Sequence, residues 1–129
     1  MFTNTKSLLV VTAAIELAGG FLLLIVPSWT AKLLLGAELG SPESLMVARI
    51  GGAALLAIGV SCWQCRNHDR HAMGLIAGLL TYNASYVVLL LYAGMVDKMP
   101  GIGIWPTIGL HIALSVWCVA RLRALPVDR

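Results

Sequence analysis

The chain has 129 residues, of which 59% are hydrophobic and 12% are charged. A typical soluble domain has about half of its residues apolar and about a quarter charged, and a chain this short cannot bury such an apolar excess. The composition therefore excludes a soluble globular enzyme, a nucleic-acid-binding domain and a disordered tail. The formal net charge of +3 is too small to indicate a nucleic-acid partner.

Four apolar stretches predict helices that cross a membrane. They cover residues 8–26, 45–63, 72–96 and 102–120. At about 1.5 Å per residue, each is long enough to cross a hydrocarbon core of about 30 Å. Strands of a membrane barrel alternate apolar and polar residues, and these runs do not. We predict an all-α polytopic membrane protein in which residues 1–129 form one domain with the lipid bilayer as its surroundings.

The basic residues outside the spans predict the orientation. Six lie on one side and two on the other: Lys6, Arg66, Arg70, Arg121, Arg123 and Arg129 against Lys32 and Lys98. The positive-inside rule then places both termini in the cytoplasm, and we expect a bacterial cytoplasmic (inner) membrane. Short second and third loops favour an antiparallel four-transmembrane-helix bundle. Because Glu16 interrupts the first run, we expect a retained span rather than a cleaved signal peptide.

The first loop and the glycines predict how the helices meet. Trp29, Lys32 and Leu33 indicate a short helix on the outer membrane surface. Small residues, such as those of Gly74-x-x-x-Gly78, allow helix backbones to approach closely in lipid. Two interpretations remain open for these small-residue faces: contacts within one chain, or the seam of a homo-oligomer.

Polar side chains inside the spans are the candidate functional residues. Charged groups at membrane depth usually face a helix-bundle interior or a cavity. Residues three or four apart share a helix face, which groups Thr107 with His111 and groups Tyr86 with both Tyr82 and Asn83. We predict that a polar pocket open to the outside binds a ligand through Glu16, Arg49, Tyr82, Asn83, Tyr86, Thr107 and His111.

The chemistry of this group is proton-linked. Low-dielectric surroundings favour the neutral form of a carboxyl group, so Glu16 would bind a proton unless Arg49 or His111 neutralises it. A carboxylate beside an imidazole can relay protons or act as an acid/base pair. The competing interpretation is a satisfied polar network that fixes the helix register without any ligand. Arg49 could equally extend to the outer headgroups.

A cysteine and histidine run follows the second span. Its ligand-type residues are Cys62, Cys65, His68 and His71, and a third cysteine is Cys118. The run is a weak metal or redox pattern, because a regular three-residue spacing at a helix end fits tetrahedral coordination poorly. Membrane helices also carry cysteine as a small apolar residue. We expect a structural role, no disulfide on a reducing cytoplasmic side, and no cofactor.

The first half of the chain resembles the DUF4345/DoxX-like group of small four-helix membrane proteins. The resemblance covers Gly19 to Arg66 and includes a Gly- and Leu-rich first span closing at Pro27, Leu35-Gly36, Ala48-Arg49-x-x-Gly52 and Leu56-x-x-Gly59. It implies a four-helix bundle. The function of that group is mostly unassigned, so the resemblance adds no activity.

A shorter segment is similar to small multidrug resistance transporters. Ala13-Ala14-Ile15-Glu16-Leu17-Ala18-Gly19 resembles the segment that carries their proton-binding glutamate on the first of four helices. The resemblance implies that Glu16 is a coupling carboxylate. The later helices depart from that family's aromatic and glycine pattern, and Arg49 and His111 have no counterpart in it.

Three functions are compatible with these patterns. The first is binding or transport of a small hydrophobic or proton-linked ligand through the pocket. The second is an accessory or structural subunit of a larger membrane complex, with no ligand of its own. The third is a membrane enzyme that uses Glu16 and His111 as an acid/base pair, which requires both side chains to reach one substrate position. We rank binding or transport first and the enzyme last.

Overall fold

The computed structural model describes residues 4–124, without the side chains of residues 69–71. This part of the chain forms five α-helices and contains no strand. They are α1 (Thr5–Ile25), α2 (Pro27–Leu35), α3 (Pro42–Cys65), α4 (Asp69–Met95) and α5 (Ile104–Ala124). The all-α class is confirmed. Among the basic residues used for the orientation, Arg129 and the side chain of Arg70 lie outside the described residues.

Four of the helices are suited to a membrane. Thr5–Ile25, Pro42–Cys65, Ala72–Met95 and Ile104–Ala124 are each long and apolar enough to cross one. Each predicted span falls on one of them. Large apolar side chains also cover much of the outer surface, among them Phe21, Ile25, Ile50, Val88, Leu89, Ile102 and Val116. Water would disfavour such a continuous apolar surface, whereas lipid accommodates it, so we treat the chain as an integral membrane protein.

The short helix predicted in the first loop is present as α2. Pro27 occupies its first turn, where a missing N–H is harmless. The helix ends at Gly36, whose φ of 82° is the left-handed conformation that glycine adopts without strain. The exposed Lys32 in the last turn of α2 donates a 2.7 Å hydrogen bond to Glu38, which lies just beyond the helix. This contact raises the pKa of the Lys32 ammonium and lowers the pKa of the Glu38 carboxyl.

Close glycine contacts join α1 to α3. A Cβ atom on either Gly20 or Gly52 would come within 2.8 Å of the other residue's carbonyl oxygen. Farther along, a Cβ on Gly59 would come within 2.7 Å of the Leu17 side chain. Because Leu17 meets Gly59 while Gly20 meets Gly52, the two helices run in opposite directions. Without side chains at these points, the two backbones can approach closely.

The remaining two long helices form a second pair. Asn83 of α4 contacts His111 of α5, and Gly94 lies against Ile104, so α4 and α5 also run in opposite directions. The α1–α3 pair and the α4–α5 pair contact each other much less than their own members do.

A core cluster joins the two pairs at the end of the helices farthest from α2. All four long helices contribute buried apolar side chains to it: Leu8, Leu9, Ala13, Cys62, Ala72, Ile76, Leu79, Leu114, Trp117 and Cys118. At the same end, Arg121 Nη2 donates a 2.7 Å hydrogen bond to Thr5 Oγ1. Toward α2 a second, smaller cluster holds Leu90, Ile104 and Ile108. The pairs are therefore tied together at one end, and the space between them lies nearer α2.

The glycine contacts predict a position-specific effect of added methyl groups. Alanine at Gly52 would place a Cβ against the Gly20 carbonyl, whereas a Cβ at the neighbouring Gly51 meets nothing within 4 Å. Both changes gain the same helix propensity. We expect Gly52→Ala to be less stable than Gly51→Ala by about 1–3 kcal/mol, the range for overpacked interiors. Denaturation midpoints of the two variants in one detergent measure this difference, and equal midpoints would contradict the contact.

Candidate functional site

A cavity of about 580 Å³ lies between the two helix pairs, and α2 contributes to its wall. This volume falls within the range of about 300–1,000 Å³ for small-molecule pockets. Most of its lining is apolar, as is typical of a ligand pocket. Of the seven predicted site residues, five line it: Glu16, Tyr82, Tyr86, Thr107 and His111.

Glu16 is the buried acid of this site. Its side chain on α1 is 2% exposed, and the Tyr82 hydroxyl of α4 donates a 3.2 Å hydrogen bond to its Oε2 atom. The other carboxyl oxygen, Oε1, is buried without a hydrogen-bond partner among the described residues. One turn earlier on the same helix face, the Thr12 hydroxyl is likewise buried and unpartnered. This face of α1 therefore carries two polar atoms that the described residues leave unsatisfied.

Asn83 determines which ring nitrogen of His111 carries the proton. The Asn83 amide nitrogen donates a 2.7 Å hydrogen bond to the Leu79 carbonyl of the preceding turn. Its amide oxygen therefore faces His111 Nδ1, at 2.6 Å. Because an amide oxygen only accepts, Nδ1 must carry the proton, and in the neutral ring Nε2 is then the acceptor. Asn83 does not itself line the cavity, and it acts there by orienting the imidazole.

Two tyrosine rings lie against the imidazole, and one of them, Tyr82, also contacts the acid. The Tyr86 and His111 rings are 4.3 Å apart between centroids and inclined by 31°. Tyr82 meets the same imidazole edge-on at 5.8 Å. These are favourable geometries for aromatic pairs, and they hold the polar groups in place. Glu16 and His111 thus face one cavity from two helices, with Tyr82 in contact with both.

The structure places Arg49 apart from the other predicted residues. Its side chain is exposed and its Nε atom lies 3.4 Å from the Leu24 carbonyl oxygen, across the contact between α1 and α3. It does not line the cavity. Within the described residues, Glu16 is consequently the only lining residue of the Asp, Glu, Lys and Arg types, and His111 is the one lining side chain that can become cationic and neutralise it.

Sequence reasoning missed the contribution of the short helix to the cavity. Thr30, Ala31 and Leu34 of α2 line it, as does Leu39 just after. The spacing of Ala31, Leu34 and Leu35 was a usable signal, because apolar residues three or four apart indicate a helix face that is covered. The sequence predicted instead that this short helix lies on the outer membrane surface.

The cysteines lie away from the cavity. Cys62 and Cys118 are buried in the core cluster, Cys65 is half-buried, and all three are free thiols. Among the side chains that the structure describes, no group of three His, Cys, Asp or Glu residues could hold a metal ion. The side chain of His71, the last residue of the predicted run, is outside the described set.

The Asn83 contact predicts the tautomer of His111. Nitrogen NMR of the labelled imidazole should show the proton on Nδ1. Replacing Asn83 with alanine removes the acceptor, and we expect a loss of about 1–3 kcal/mol of stability for the orphaned donor together with a mixed tautomer. Ser85→Ala, on the exposed face of the same helix, is the control. A wild-type imidazole protonated on Nε2 would contradict this arrangement.

Comparison of the chain with protein families, curated proteins and solved structures finds no match. The resemblances to the DUF4345/DoxX-like group and to small multidrug resistance transporters stay predictions.

Proposed function

We propose that this protein binds, and in binding can carry, a small hydrophobic ligand in the cavity between its helix pairs, with Glu16 exchanging a proton as the ligand arrives or leaves. We further propose that the helices form an antiparallel bundle in a bacterial inner membrane, with both termini in the cytoplasm. In that orientation α2 and the cavity belong to the outer half of the membrane. The buried Glu16 carboxyl in the cavity wall is the observation that carries this function.

Without a bound ligand, the buried Glu16 carboxyl is unfavourable in either protonation state. An ionised carboxylate at this depth has no Lys or Arg side chain beside it in the lining and is uncompensated as long as His111 is neutral, and an uncompensated buried charge is strongly destabilising. A protonated carboxyl has only Tyr82 as hydrogen-bond partner among the described residues. Binding a proton removes the uncompensated charge of Glu16. A polar ligand group supplies the hydrogen-bond partner that the protonated carboxyl lacks. Ligand binding and proton binding are therefore coupled at one side chain.

A second candidate function is an accessory subunit, and the outer face of α4 favours it. A Cβ on Gly74 or Gly78 would meet nothing within 4 Å, so this small-residue face is unused within the chain. Small-residue faces are typical helix–helix contacts in lipid. In this alternative a second copy of the chain or a larger partner would cover the face, and the cavity would have no ligand.

Replacing Glu16 with glutamine tests the proposed function. Glutamine keeps the size and the acceptor for Tyr82 but removes the titratable group. We expect N-phenylnaphthylamine, an uncharged fluorescent probe, to bind the wild-type protein in nanodiscs with a pH-dependent affinity. Glu16→Gln should bind it with an affinity that no longer depends on pH.

The control is Glu43→Gln, because Glu43 is an exposed carboxylate on α3 that does not line the cavity. Its probe affinity should follow the wild-type pH profile. Fluorescence with empty nanodiscs subtracted gives the signal. An unchanged pH profile in Glu16→Gln, or no saturable probe binding to the wild type, would refute proton-linked binding.

A further inference from the structure

We propose that the ligand is a single-chain lipid with a compact, uncharged hydroxyl head, and that it enters the cavity sideways from the bilayer between α3 and α5. The head lies against Glu16 and the chain lies toward the lateral opening. This inference rests on the proposed function, because it names the ligand class and the route for the same cavity. It differs from the opening to the outer aqueous side that the sequence suggested.

The short helix α2 closes the end of the cavity that faces away from the core cluster. The Gly103 N–H donates a 3.0 Å hydrogen bond to the Leu33 carbonyl, which ties α2 to the loop between α4 and α5. A Cβ on Gly101 would overlap the Leu34 carbonyl, so this loop lies directly on the α2 backbone. Ala31 is a buried residue of α2 that lines the cavity. Access from that end would require α2 to separate from the loop.

An opening remains on the side. Val47 of α3 and Leu110 of α5 both line the cavity, yet they are 68% and 39% exposed. Val47 is five residues beyond Pro42 and Leu110 is six beyond Ile104, so at about 1.5 Å per residue both lie roughly 8–9 Å inside the helix ends. The neighbouring Ile50 is an exposed apolar side chain too. The rim is therefore apolar and lies at the depth of lipid chains.

Polarity changes along the cavity in the order that a lipid with one polar end requires. Glu16 is nine residues before the end of α1 at Ile25, roughly 14 Å along the helix. Tyr82 and the buried His111 accompany it on the inner side of the cavity, while Leu110, next to His111, faces the rim. Most of the remaining wall is apolar, with Leu23 and Ala48 as examples, and the lining hydroxyls of Thr30 and Ser44 donate to backbone carbonyls. A polar head therefore fits the deep end, and a hydrocarbon chain fits the path to the rim.

The charges of the lining select the head group. No Lys or Arg is among the described residues of the wall, so beside a neutral His111 an anionic head would meet the Glu16 carboxyl without a counter-charge. A hydroxyl group has one donor and two acceptor positions. It can donate to ionised Glu16 or accept from protonated Glu16. A hydroxyl head can thus bind in both protonation states, and its charge-assisted bond to the ionised carboxylate is the stronger one, so binding stays linked to the proton. A cationic head suits only the ionised state.

Photolabelling of the protein in nanodiscs tests the proposal. Two hexadecanol probes would be used, one with a diazirine beside the hydroxyl and one with a diazirine at the chain end. We expect the first to label Glu16 and neighbours at the deep end, and the second to label the rim at Val47 and Leu110. Unlabelled hexadecanol should compete at least about tenfold better than palmitate or hexadecyltrimethylammonium, equivalent to about 1.4 kcal/mol.

A bulky residue introduced at the rim tests the route of entry without changing the binding site at Glu16. Val47→Trp should narrow the opening and reduce the initial rate of labelling at Glu16 severalfold. Val60→Trp, which adds the same bulk to an exposed position of α3 outside the cavity, should label at the wild-type rate. Equal rates in the two variants, or chain-end labelling of α2, would overturn the lateral route.

The outcomes distinguish this inference from the proposed function. Stronger competition by the ammonium or the carboxylate compound overturns the hydroxyl class, while pH-dependent probe binding that is lost in Glu16→Gln leaves proton-linked binding in place. If neither hexadecanol probe gives saturable labelling, the lipid ligand is overturned and proton-linked binding again stays in place. If N-phenylnaphthylamine shows no saturable, pH-dependent binding to the wild type, both proposals are refuted.

Discussion

A carboxyl group buried at membrane depth constrains the rest of this molecule. Glu16 can stay there only if neighbouring helices supply hydrogen bonds, and Tyr82 supplies one of them from α4. Lipid offers no such partner, so the acid must face the interior. The second carboxyl oxygen lacks a partner among the described residues, and this unsatisfied group is what makes the adjoining cavity chemically meaningful.

The helix contacts explain why a cavity exists beside this acid. Glycines at positions 20, 52 and 59 bring α1 and α3 close together, while α4 and α5 meet through a separate set of residues. Each pair is thus internally tight. The core cluster joins the pairs at the end remote from α2, and the other end is held apart by the short helix lying across it. The core cluster therefore closes one end of the molecule, and α2 covers the cavity at the other.

Two kinds of polar group serve different purposes in this interior. The Asn83 amide has a partner for both its nitrogen and its oxygen and fixes the imidazole orientation through Nδ1, as a register-determining network does. Glu16 is not satisfied in that way. The interpretation of the polar residues as one uniform network therefore describes Asn83 and His111 better than it describes the acid, and the ligand is proposed at the acid.

Local sequence determined the helical class, the positions of the spans, the short helix after Pro27 and the identity of the intramembrane polar residues. These follow from hydropathy, length and proline or glycine positions, which act over a few neighbouring residues. The tertiary structure alone decided that Arg49 stays outside the cavity, that α2 covers it, and that Gly52 makes a close contact while Gly74 makes none. These outcomes depend on how each helix is rotated and which helix it meets. In a chain whose helices are apolar on nearly every face, hydrophobic periodicity does not encode that rotation, and steric fit between small residues and satisfaction of buried polar groups decide it.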